Sequence, residues 1–296
     1  VKINRNNFVF MVFLNYLKFL GLFVLIFFVT VQSSCAQYSE SLSSDRPGQA
    51  LSANTVGKGI FQWQMGLEYA GASFKDLEAY DKVFVNSNNL RYGLFERFEV
   101  GLDVVSETAW YKEFYLPNRG EPKSSTSFGV NARVNVLKGA GVKPTIGVQL
   151  ALQKLGENDE VFEPQLMLAT SQTFWDTWGL ATNLGVKNNN GSDYNSVIYA
   201  INMNKTFKRK LTVFLEHYSE IKNNEWQNKF DGGASYMINS NFQIDLYGGW
   251  YKKDYTFLSP DPYDPLLYQL PNPIQVTNWF ISTGFTWRIG KHGSTE

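Results

Sequence analysis

About twelve stretches of this chain alternate apolar and polar side chains residue by residue, and the links joining them alternate too, tight then long. The stretches begin near residues 59, 82, 97, 124, 143, 161, 177, 194, 210, 226, 241 and 277. In the fourth, Phe128, Val130, Ala132, Val134 and Val136 fall on one side, with Gly129, Asn131, Arg133 and Asn135 on the other. In the eleventh, Phe242, Ile244, Leu246 and Trp250 oppose Gln243, Asp245, Tyr247 and Tyr251. Successive side chains of a strand point to opposite faces, so each stretch predicts a strand with one apolar and one polar face. Many run to 11–13 residues. Soluble sheets average roughly 5–6 residues per strand, whereas a tilted membrane strand needs about 9–11.

The links carry the sharper constraint. Phe95–Arg97, Leu137–Gly141, Phe174–Thr177, Phe207–Lys210 and Asn239–Asn241 are tight, while residues 70–81, 112–124, 154–160, 187–193 and 219–225 are longer and polar. The last link, Lys252–Val276, spans 25 residues rich in Pro, Asp and Tyr. Tight turns at one end and long loops at the other are the habit of outer-membrane barrels; a soluble sandwich has no reason to sort its loops this way. Trp63, Tyr69, Tyr92, Phe98, Trp178, Tyr236, Trp250, Trp279 and Trp287 lie near strand ends on the apolar parity, where lipid interfaces gather aromatic girdles. The expected fold is all-β: an antiparallel transmembrane β-barrel of about twelve strands, of outer-membrane type, with both ends periplasmic. A soluble barrel with an aromatic core is the competing reading.

Residues 1–36 read as a cleaved export signal. Lys2, Arg5 and Lys18 supply positive charge, Phe19–Val31 is a short apolar core, and Ser34-Cys35-Ala36 offers a small-residue cleavage site before Gln37. Met11 opens a complete signal by itself. The alternative, a membrane anchor, meets an apolar run too short for a helical span. Cys35 is the one cysteine; Gln32 stands where a lipoprotein signal wants Leu, which argues against a lipid there. With Cys35 removed no thiol remains, which excludes a disulfide scaffold, a cysteine nucleophile and cysteine metal sites. Of 27 basic residues 3 precede Gln37 and none of the 27 acidic ones does, so the mature charge is 24 − 27 = −3, and nothing points to nucleic acid. The predicted division is a signal over 1–36, a periplasmic segment over 37–58, the barrel over 59–290 and a tail over 291–296. Such a destination implies outer-membrane lipids and, during biogenesis, the barrel-assembly machinery as partners.

Parity assigns Glu68, Arg91, Glu99, Asp103, Arg133, Lys187, Glu216, Asp231, Asp245 and Arg288 to the lumen, with Gln149 and Glu163. Charges of both signs there can screen solutes as an electrostatic constriction, or pair across a filled lumen because the lipid face would cost several kcal/mol. Tyr255, Phe257, Tyr263 and Tyr268, in the longest link, are candidates to line or cover the outer mouth. An enzyme of the outer-membrane phospholipase kind would need a Ser–His pair on the outer face. Of the two histidines, His292 lies in the tail and His217 has Ser219 on the same strand face, without a supporting motif. Asp261–Pro265 spaces its carboxylates three apart but lacks the glycine-bearing loop of a calcium site. No catalytic residue, metal site or cofactor is predicted.

Ser44-Asp45-Arg46-Pro47, Thr55-Val56-Gly57-Lys58-Gly59 and Glu68-Tyr69 together resemble the opening of a family of bacterial outer-membrane barrels known as transporters of the MetA pathway of phenol degradation. Asn88–Leu102, Leu211–Glu220, Phe230–Trp250 and Ser282–Gly290 resemble later elements of that family, in order. The resemblance implies a passive channel for small, partly hydrophobic or aromatic solutes. Competing functions are a closed structural or adhesive barrel whose loops bind a partner, and a soluble secreted β-protein that binds glycans. Asp45 and Arg46, a charged pair before a proline and far from any helix, are expected to fold back and pair with charges at the periplasmic mouth; a solvated leader is the alternative.

Overall fold

A computed structural model describes residues 42, 44–74, 79–112, 121–154, 162–188, 195–222, 225–255 and 274–290. The predicted signal and the C-terminal tail lie outside the described residues. Twelve strands run in chain order: β1 Phe61–Phe74, β2 Ala79–Phe95, β3 Phe98–Lys112, β4 Lys123–Leu137, β5 Thr145–Lys154, β6 Phe162–Phe174, β7 Trp178–Asn188, β8 Asn195–Phe207, β9 Leu211–Lys222, β10 Glu225–Asn239, β11 Phe242–Tyr255 and β12 Ile274–Ile289. Each pairs with its sequence neighbour, and β1 pairs antiparallel with β12, from Phe61 opposite Ile289 to Ala72 opposite Asn278. Closure leaves no sheet edge, the condition a sheet must meet to cross a bilayer.

Strand starts fall within three residues of those expected, but the strands are longer. β1 and β2 run through most of what reads as the first long link, and Lys252–Tyr255 and Ile274–Val276 take both ends of the last. The physical reason is that alternation needs lipid on one side. Where both faces of a strand meet water the hydrophobic pattern fades, while the backbone ladder continues. The tight links gather at one end. Positive φ at Trp175, Asp176, Lys208 and Arg209 places both central residues of two of these hairpins in the left-handed region, which matches the turn to the right-handed twist of the strands.

The burial pattern is that of a soluble protein turned inside out. Gln62, Glu99 and Thr286 are fully buried, Arg91 nearly so, while Leu215, Leu246, Met203 and Val130 are exposed on the outer face. Trp63 stands opposite Trp287 near the short-turn end, and Trp250 opposite Trp279 near the long-loop end. Tyr69 meets Trp279 edge-on at 5.7 Å. Two aromatic levels thus bracket the apolar band, as lipid interfaces favour.

An outer face that is lipid-bound answers to charge by depth. Leu215, 73% exposed on β9, is the sharpest probe. Leu215→Arg is expected to lower folding stability in bilayers by about 2–4 kcal/mol, and Leu215→Phe to leave it nearly unchanged, read by denaturant titration.

Candidate functional site

Residues 44–60, the described run before β1, lie against the inner wall of the barrel, where Asp45 and Arg46 fold back onto wall charges. This segment visits the strands in reverse order. Ser44 Oγ lies 2.7 Å from Thr286 Oγ1 on β12. The Arg46 guanidinium donates to both carboxylate oxygens of Asp245 on β11, at 3.3 and 2.8 Å, and to Ser282 on β12. The amides of Gln49 and Ala50 donate to Glu216 on β9 at 2.6 and 3.0 Å. Leu51 exchanges two hydrogen bonds with the Asn183 amide on β7. The Ala53 carbonyl accepts from Asn135 on β4, and the Val56 amide donates to Glu99 on β3. Gly59 and Ile60 then pair with Gly93 on β2, and β1 begins. The segment makes one circuit of the inner wall.

Asp45 closes the circuit. It accepts the Ser52 amide at 2.7 Å, pairs with Arg133 through two bonds of 3.0 and 2.8 Å, and lies 3.3 Å from Arg91. Glu99 in turn holds Arg91 at 2.7 Å and lies 3.6 Å from Arg133. Two guanidiniums and two carboxylates therefore neutralise one another in a dry site, where a lone charge would be prohibitive and a paired, hydrogen-bonded one is tolerated. Burial pushes the Asp45 carboxyl upward, but the fields of Arg133 and Arg91 and its hydrogen bonds overcome this and hold it down at about 2.

Irregular backbone at membrane depth is tolerated only where protein or an internal cavity covers it, with its amides satisfied. Here wall side chains satisfy them: Glu216, Asn183, Asn135 and Glu99 each take up backbone groups of the segment. Missing wall side chains make the room. A Cβ on Gly66 would overlap the Arg46 guanidinium, and one on Gly93 would overlap the Gly57 carbonyl.

The other parity-assigned residues all take inward positions, at several places around the wall. Asp103 accepts from Asn89 and Asn131. Lys187 pairs with Glu163 at 2.6 Å. Arg288 reaches Ser240 and Asn241 in a tight turn at the short-turn end. Glu68 lies on β1, and Asp231 stands directly opposite Glu216. Of the loop aromatics, Phe257, Tyr263, Tyr268 and the side chain of Tyr255 lie outside the described residues, as does Asp261–Pro265. His217 is on the outer face, 3.4 Å from the Tyr199 hydroxyl and packed on Phe230.

Sequence reasoning put Tyr247 on the polar side without giving it a role and missed two inward aromatics, Phe214 and Phe280; the three form one buried cluster on the lumen wall. The available signal was a large ring on the polar parity. Asn183 and Asn135 were missed as well, for they look like any polar wall residue until the segment sits on them.

Asp45 carries the pH dependence of docking. Because its carboxyl is held below the ordinary 3.8, its contribution is complete above that value and is lost as pH falls through about 2. Amide exchange of residues 49–56 should stay slow down to about pH 4 and speed up steeply below it. Asp45→Asn leaves two buried guanidiniums short of a partner. It should cost docking about 3–5 kcal/mol, seen as fast exchange or proteolysis of the segment with the barrel intact.

Three comparisons bear on this arrangement. Residues 147–256 match the family described as "Putative MetA-pathway of phenol degradation". No protein of curated function matches the sequence. Among solved structures, an outer-membrane channel from Pseudomonas putida F1 is 11% identical over 82% of this chain and 99% of that one, with a TM-score of 0.54, a likeness of fold. Two more distant barrels are the translocator domain of the autotransporter NalP from Neisseria meningitidis (10% identity, 79% of this chain and 89% of that one, TM-score 0.45) and the CymD monoaromatic hydrocarbon channel (10%, 80% and 89%, 0.42). The chain is a closed twelve-stranded barrel of outer-membrane type that carries, over residues 147–256, the signature of the family described as "Putative MetA-pathway of phenol degradation".

Proposed function

We propose that this protein is a passive channel of the bacterial outer membrane for small, partly hydrophobic solutes, and that its N-terminal segment sets the constriction. The observation that carries the reading is the filling of the lumen. It is a separate stretch of chain, joined to the wall at β1 and held by polar contacts that can be exchanged for water. A purely structural barrel has no need of a detachable filling. The polar wall suits water and solute, the inward rings of Phe214, Tyr247 and Phe280 suit an apolar solute body, and the family description points to aromatic compounds. Movement down a gradient asks nothing further of the chain.

One observation favours a closed barrel instead. Around the docked segment Gln62, Ser282 and Thr286 are 2% exposed or less, so that level is dry. The two readings separate in planar bilayers. The intact mature protein is expected to show small conductance steps, and a variant lacking residues 44–56 to show steps several-fold larger. If both variants fold, shown by heat-modifiable gel mobility, and both are silent, the channel reading fails and the barrel is structural.

A further inference from the structure

Charge is balanced unevenly along the lumen. Around the docked segment Asp45, Asp245, Glu99 and Glu216 each have a guanidinium or amide partner. Asp231 on β10 does not. It is 3% exposed, it points inward, and neither of its carboxylate oxygens has a hydrogen-bond partner. Its direct neighbour across the ladder is another carboxylate, Glu216, and it lies in the field of a third, Glu68. Like charges directly opposite in a sheet are destabilising, and Glu216 is already engaged with Gln49, Ala50 and Asn202. The nearby cations bind other groups: Arg46 bonds Asp245, Lys229 lies over the rings of Tyr218 and Tyr251, and the charges of both reach Glu68.

The surroundings of Asp231 are shaped as well as charged. On its other side the ladder partner is Gly249, where a Cβ would stand 2.7 Å from both the Asp231 Cβ and the Phe280 ring. Asp231 and Phe280 thus close together where that side chain would stand, which sets the carboxylate beside an aromatic wall of Phe280, Tyr247 and Phe214, whose rings contact one another at 5.9 and 6.1 Å. The same wall already holds a guanidinium, that of Arg46, 5.4 Å from the Tyr247 centroid. Carboxylates facing aromatic rings recognise organic cations, the carboxylate through charge and the ring through its negative face. No group of described His, Cys, Asp or Glu residues has the geometry to hold a metal ion.

We infer that Asp231, with Glu216, Glu68 and the Phe280–Tyr247 wall, forms a binding site for the ammonium group of a small solute with an aromatic body. The inference rests on the lumen being a solute passage and names the solute class that pauses there. A buried, unpartnered carboxylate lowers stability and is retained where function uses it.

The test is binding to the folded, full-length mature protein in detergent, read by thermal unfolding and titration calorimetry, so no conductance is needed. Benzylammonium is expected to bind saturably and raise the melting temperature, and the neutral benzyl alcohol is expected to do neither. Asp231→Asn should melt higher than the parent, since a repelled charge is gone, and bind benzylammonium at least tenfold more weakly. Glu225→Gln, exposed at the far end of β10, should bind as the parent does. Equal binding of benzyl alcohol, equal stabilisation by potassium at the same concentration, or a lower melting point for Asp231→Asn would each overturn the site. Asp231→Ser is the second variant should the first not fold, and the comparison of two ligands on the parent protein needs none. A barrel that binds but never conducts would sink the passage alone; one that conducts but ignores benzylammonium would sink the site alone.

Discussion

A charge that lipid will not accept must turn inward, and once inside it must be neutralised. The rest of this structure depends on that constraint. An eight-stranded barrel is narrow enough for its own side chains to fill, whereas barrels of sixteen or more leave an aqueous channel. Twelve strands fall between, so wall residues alone do not meet in the middle. The chain solves this with its own N-terminal segment, which brings one carboxylate to Arg91 and Arg133 and one guanidinium to Asp245. Each ion pair is worth little net of its desolvation, but losing either member strands a buried charge. The Asp45 and Arg46 clamps therefore act more as register pins than as sources of stability.

Much of the barrel was legible because lipid imposes a rule that sequence must obey. Phe128 to Val136 and Phe242 to Trp250 announce their outer faces through strict alternation, and the tight Phe207–Lys210 and Asn239–Asn241 links announce the turns. The parity that places Leu246 outside places Asp245 inside, without further information. The rule says nothing about strand ends beyond the membrane, and there β1, β2 and β11 outran expectation. It says nothing about the segment before β1 either. Ser44 to Gly59 has no period because its partners are met one at a time around a circle. The charged pair before Pro47 was visible, but its depth inside the barrel was not. That depth depends on Gly66 and Gly93 lacking side chains at points of contact, information carried by residues far away in sequence.

Neighbouring carboxylates of the lumen wall obey different logics. At the docked segment Glu99 serves two arginines and one amide together. At Asp231 the matching stops, although the strands there are as regular as elsewhere. Where a network is complete it fixes a single arrangement, and where it is left open it marks a place that something else can fill.

The circular course of the segment has a consequence for the order of events in biogenesis. Ser44 and Arg46 precede every strand, yet their partners lie on β11 and β12, 199 to 242 residues away. The segment docks fully only when the last strands are in place, while its far end is already tied to β1, which must zip to β12 to seal the wall. Complete docking is thus a late step of high contact order. A chain with any strand misregistered would offer the segment a broken circle, so its own beginning serves as a gauge of whether its end has been built correctly.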